Sequence, residues 1–221
     1  MPFETLQKLF GIVPFLFFWG IFLLALAFYL RRGGAEGKLA KRVRTLLWVT
    51  LGFRVLYAVS ATIAQYFVWA ESPATRVFLD SGIGRESPIA PSLEKFPFLF
   101  GKLGYFLFYS YGRFWLNVFL AFLCAFAFLW FLKALRKWKD RFFEDGEIEL
   151  GALSVALVGW PAFTLFLPLA FLSVILVSLF RLLFMKEKLT TLGAPFLLAV
   201  LLVLVWGPWL LSVTGFSVLK I

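Results

Sequence analysis

Five long apolar runs, at residues 10–30, 46–70, 114–132, 150–180 and 194–211, limit what this chain can fold into more than any other feature. A helix of about 20 apolar residues crosses a bilayer core. Most of the runs reach that length, and together they make up roughly half of the chain. The pattern predicts an all-α, multi-pass integral membrane bundle. With 62% hydrophobic and only 15% charged residues, a soluble domain of this size is excluded. The 30 Phe and 9 Trp belong to the same picture.

The net charge of +10 sits in short stretches between the apolar runs. Basic loops beside an anionic leaflet have this distribution, and no nucleic-acid partner is expected. Cys124 is the single cysteine and there is no histidine, so neither a disulfide nor a zinc, copper or haem site is expected. No cofactor is implied. The first run is nearly twice the length of a signal-peptide core and lacks a small-residue cleavage pattern, so a retained transmembrane helix is expected there.

Charge between the runs predicts topology. Residues 31–45 hold Arg31, Arg32, Lys38, Lys41, Arg42 and Arg44 against Glu36 alone. Residues 133–149 open with Lys133, Arg136, Lys137, Lys139 and Arg141 before turning acidic, and residues 181–193 carry Arg181, Lys186 and Lys188 against Glu187. By the positive-inside rule these three stretches are cytoplasmic. Residues 71–95, mixed and slightly acidic, go outside, as do both termini. The whole is expected to be one polytopic domain of about six helices in a cell membrane.

The sidedness requires that residues 150–180 enter and return. That run would be about 46 Å long as a straight helix, against a core of about 30 Å. Gly159-Trp160-Pro161 interrupts it near the middle, because proline removes a backbone donor and glycine loosens the turn. A helical hairpin with a short first arm follows. Residues 96–111, dense in aromatics around Lys102, predict an interfacial helix leading into the next crossing. Arg54 lies inside the second run and is expected to snorkel to the cytoplasmic face.

Three motifs punctuate the C-terminal part, residues 133–213. Glu144-Asp145-Gly146-Glu147-Ile148-Glu149 follows the basic stretch, then come Val158-Gly159-Trp160-Pro161 and Gly193-Ala194-Pro195-Phe196-Leu197. In order and spacing this part resembles the prepilin peptidases, membrane aspartic proteases that trim type IV pilin leader peptides. Residues 1–132 show no such resemblance. The GxGD motif of the family falls on Glu144-Asp145-Gly146-Glu147, which puts Glu147 at the catalytic aspartate position and Glu149 where the family has lysine.

The resemblance implies Glu147 as the residue at the catalytic position and Asp145, Glu149, Pro195 and Phe196 as binding residues. It implies no metal. Aspartic proteolysis needs two carboxylates that share a proton, and Glu carries its carboxylate one methylene further out than Asp. Asp80, Glu86 and Glu94 fall on the opposite predicted face. The expectation is a scaffold that has lost catalysis and binds or positions another membrane protein, such as a pilin-like or secretion component. A divergent aspartic-type peptidase using Glu147 and a small transporter or channel subunit are the alternatives. On residue chemistry alone, Asp145, Glu147 and Glu149 are also the acids that a helix N-terminus favours.

Overall fold

The computed structural model describes residues 3–31, 38–84, 86–87, 89–138, 143–185 and 191–219. Arg32, Glu36, Arg85, Lys139, Arg141, Lys186, Glu187 and Lys188 lie outside the described residues. Among the described residues the chain is helical and forms no strand. The helices are α1 (Phe3–Leu30), α2 (Lys38–Glu71), α3 (Pro73–Asp80), α4 (Ala90–Leu93), α5 (Gly104–Ser110), α6 (Leu116–Trp138), α7 (Glu147–Val158), α8 (Phe163–Phe180) and α9 (Gly193–Val213).

Five helical stretches are long and apolar enough to cross a membrane: Phe10–Leu30, Lys38–Glu71, Gly104–Trp138, Phe163–Phe184 and Gly193–Val213. Large apolar side chains on them are exposed, including Phe15, Leu16, Trp130, Phe171, Ile175 and Phe184. Small residues are among those that pack inward: Ala25, Ala121, Ala125, Ala152, Ala156 and Ala199 are buried, beside larger ones such as Phe166 and Leu51. Small residues between helices and large apolar residues around them are the arrangement of a bundle solvated by lipid. The protein is an integral membrane protein.

The expected count of six membrane helices resolves as these five and α7, whose 12 residues make only about 18 Å of helix. Residues 96–111 do not form one interfacial helix. Pro97–Phe100 is a 3₁₀ turn, and α5 runs through a π-helical turn, Tyr111–Trp115, directly into α6. Pro97 and Gly101 bracket the 3₁₀ turn and leave the helix to begin only at Gly104.

The chain divides into two compact units. One is Met1–Arg54 with Phe119–Lys220, and the other is Val55–Val118 together with Ile221. In the first, α7 is buried on nearly every side, from Glu147 to Leu157. An apolar helix this short persists in a membrane only where protein surrounds it. It runs alongside α2 in the same direction, since Arg44 meets Glu149 and Arg54 meets Ala156 and Leu157. Gly151 in its second turn lies against Leu132, Phe196 and Phe128.

The reversal after α7 follows from these contacts. A straight helix from residue 151 to 166 would be about 22 Å long. Yet Gly151 touches the Phe196 ring, and the Phe166 ring centroid is 6.4 Å from the same ring. The chain folds back at Gly159, whose φ is +66°, and α8 and α9 then pack together as a pair. The broken hairpin expected from Gly159 and Pro161 is present.

In the second unit, Trp69, Leu79 and Phe106 form a small cluster of their own, with the Tyr105 ring stacked on Trp69. Backbone bonds from Ile83 to Leu99 and from Leu103 to Leu79 hold the connecting segments together. Gly82 and Gly104 allow this, because a Cβ on either would collide with the backbone of Phe100 or Leu99.

The hairpin makes a topological prediction. In a chain with Cys124→Ala, single cysteines at Asp145 and Thr191 should react with an impermeant maleimide from the same side of the membrane. Labelling from opposite sides would mean that residues 147–180 cross once.

Candidate functional site

Gly146 lets the chain turn into α7. Its φ of +78° lies in the left-handed region that glycine favours. A Cβ there would come within 2.9 Å of the Ala40 backbone nitrogen, so the turn presses directly on the first turn of α2.

Glu147 follows and has no exposed surface. Its Oε2 accepts hydrogen bonds from the backbone N–H groups of Glu144 at 3.1 Å and Leu192 at 3.2 Å, and its Oε1 accepts one from Gly193 N–H at 2.9 Å. Leu192 is the N-cap of α9 and Gly193 its first residue. A helix start offers N–H groups without intrahelical partners and the positive end of the backbone dipole. A carboxylate answers both, with charge-assisted bonds stronger than neutral ones. Gly193 is required for this approach. A Cβ on it would lie 2.6 Å from Glu147 Oε1 and would collide with the Tyr29 ring near the end of α1.

The other end of α7 has a matching device. The last turn of a helix leaves carbonyls unpaired. Val155 O is taken by Gly159 N–H at 2.8 Å. Arg54 Nε donates to Ala156 O at 2.9 Å and its Nη2 to Leu157 O at 3.1 Å. The guanidinium also sits over the Phe18 ring, 4.7 Å from the centroid. Gly159 opens the space, since a Cβ there would overlap the guanidinium. Arg54 therefore does not snorkel to the cytoplasmic face as expected. The Ala156 and Leu157 carbonyls lie within hydrogen-bond distance, and cations suit a helix C-terminus.

The remaining sequence-predicted residues divide between surface and interior. Asp145 is exposed at the mouth of the turn. The Glu149 side chain pairs with Arg44 at 2.9 Å, where Arg44 is 63% exposed and the bond adds at most about 1 kcal/mol. Pro195 and Phe196 are buried in the first turn of α9, next to the bonds that Glu147 makes. Pro195 occupies a place where no intrahelical N–H is needed. The Phe196 ring meets Phe128 at 5.8 Å and Phe166 at 6.4 Å, which ties α6, α8 and α9 together.

The site is thus a buried meeting of helix ends, the starts of α2, α7 and α9 and the end of α1, with the Glu147 carboxylate at its centre. Among the described residues no three His, Cys, Asp or Glu side chains gather to hold a metal ion. Arg54 is the residue that sequence reasoning misassigned. Its signal was a charge within an apolar run in a chain that also breaks a helix at Gly159-Trp160-Pro161. No protein-family model, no curated protein and no solved structure matches the chain.

Removing the Arg54 guanidinium, or crowding the Glu147 carboxylate at Gly193, should loosen the first unit. Arg54→Met leaves two buried carbonyls unpaired and is expected to lower resistance to SDS unfolding by roughly 2–4 kcal/mol. Arg54→Lys, which keeps charge and donors, should recover part of that loss. Gly193→Ala should destabilise by about 1–3 kcal/mol through overpacking. A wild-type unfolding midpoint in Arg54→Met would show that the carbonyls find other partners.

Proposed function

We propose that this integral membrane protein is a non-catalytic scaffold of prepilin-peptidase-like arrangement that binds or positions another membrane protein, such as a pilin-like or secretion component. The engagement of Glu147 carries the proposal. A carboxylate that activates water must be reached by that water. Both Glu147 oxygens accept backbone N–H groups at the start of α9 and before α7, and the residue has no exposed surface. The acid at the position of the family's catalytic aspartate thus works as a clasp between helices. Its neighbours Pro195 and Phe196 belong to the packing that the clasp holds.

The basic stretches support a cell-membrane location with residues 31–45, 133–149 and 181–193 cytoplasmic and both termini outside. Convergence of the helix ends that follow these stretches is consistent with one shared side. Glu147 reaches Leu192 and Gly193, and Gly146 lies against Leu39 and Ala40.

The test is reconstitution of the full chain in liposomes with a peptide carrying a pilin-type leader. The expected result is no cleavage above that of empty liposomes, while cross-linking in native membranes recovers a defined membrane protein. Cleavage that disappears in Glu147→Gln, in a variant that still elutes as the folded protein, would reverse the assignment in favour of a divergent peptidase. Solute flux through the pure protein would turn it toward transport.

A further inference from the structure

The Val55–Val118 unit carries an open-sided cavity of about 600 Å³. Its wall is apolar and aromatic, with Leu99, Leu107, Phe108 and Trp115 among the contributors. That volume is in the range of sites that take one small organic molecule or chain. In a protein surrounded by bilayer, the apolar chains at hand are those of lipids.

The polar atoms of the wall narrow the choice. Trp115 Nε1 donates to Thr62 Oγ1 at 3.2 Å, and Thr62 Oγ1 donates to the Ala58 carbonyl at 2.8 Å, so both are committed. Ser110 is different. The residue is 2% exposed and lines the cavity, and its hydroxyl has no hydrogen-bond partner among the described residues. A buried hydroxyl without a partner is costly, and a ligand oxygen would remove that cost. Ser110 also stands where the helix changes to the π-helical turn Tyr111–Trp115, a local distortion that often accompanies binding sites.

Charge narrows it further. Lys95 lies between Leu93 and Phe96, and Arg113 between Tyr111 and Trp115, and all four of those neighbours line the cavity. Lys95 and Arg113 are both exposed and make no ion pair among the described residues. Arg113 is three residues from Ser110 on the same helical segment, past the start of the π-helical turn. In a glycerophospholipid the ester carbonyl and the phosphate are only a few bonds apart.

We propose that this cavity holds one acyl chain of an anionic phospholipid, with an ester carbonyl accepting from Ser110 and the phosphate facing Arg113 and Lys95. The chain lies against the aromatic wall. The headgroup is selected by charge at the mouth, and aromatic residues with cations at that level suit the membrane–water boundary.

The experiment uses the full chain in nanodiscs doped with phosphatidylglycerol or phosphatidylcholine carrying a photoactivatable acyl chain, with adducts mapped by mass spectrometry. Adducts should concentrate between Leu93 and Trp115, with phosphatidylglycerol favoured by about fivefold for each basic residue engaged. Leu107→Trp, which fills the cavity, should remove these adducts and leave those on α8 unchanged. Because that variant also perturbs packing, Arg113→Gln serves as a second test. It should keep chain labelling but cut the preference for phosphatidylglycerol about fivefold. Adducts spread over lipid-facing residues in proportion to exposure would overturn the site. Equal labelling by the two lipids in the unaltered chain would overturn the assignment to an anionic phospholipid.

Discussion

A helix too short to cross a membrane, buried by protein along nearly all its length, imposes the central constraint on this protein. α7 has 12 residues, so a large share of its backbone groups belong to its two ends. Lipid satisfies none of them. The chain meets the demand with surrounding protein on every side and with charged groups at the junctions. Arg54 receives two carbonyls at the C-terminal end of α7, and Glu147, from its first turn, receives the N–H groups that open α9. Each of these charges costs several kcal/mol to bury alone and is tolerable only because its hydrogen-bonding capacity is taken up. The glycines at 146, 159 and 193 follow from the same demand, since each clears the space in which a charged group or a neighbouring backbone approaches.

Packing of the first unit then follows from α7. With Gly151, Ala152, Ser154 and Ala156 all buried, its neighbours come close, and Leu132, Phe128 and Phe196 close around Gly151. Phe128 in turn meets Phe163, Phe166 and Phe196. Helices that associate inside lipid gain little from excluding water, so close contact of this kind and satisfied polar groups are what distinguish one arrangement from another. On α8, Phe171, Leu172, Ile175 and Leu176 are exposed among the described residues. In a bilayer such a face is covered by lipid.

Much of this was legible in the sequence because hydropathy and chain breakers act locally. The long runs gave the spanning helices, and Gly159-Trp160-Pro161 gave the reversal because glycine and proline fall together there, whereas Pro14, Pro168 and Pro208 sit singly inside helices. Boundaries were less legible. α2 begins at Lys38 rather than near residue 46, because basic residues extend a helix beyond the apolar core at no cost in propensity. The roles of Glu147 and Arg54 were hidden for a different reason. Glu147 and Gly193 are 46 positions apart and Arg54 and Ala156 are 102 apart. No periodicity links such pairs. A first-turn acid looks the same in sequence whether it serves its own helix or another one. Snorkelling was the wrong expectation for Arg54 because it assumed water as the only available partner, whereas the broken helix supplied carbonyls.

The clasp at Glu147 also orders events in the making of the protein. Its donors at Leu192 and Gly193 are synthesised 45 and 46 residues after the carboxylate. Until they emerge, Glu147 lacks the partners that join the start of α7 to the start of α9. That junction is therefore completed only when the first turn of α9 has been made. Arrival of α9 converts a set of separately inserted helices into a bundle, so truncation just before Gly193 would leave that conversion undone however hydrophobic the remaining chain.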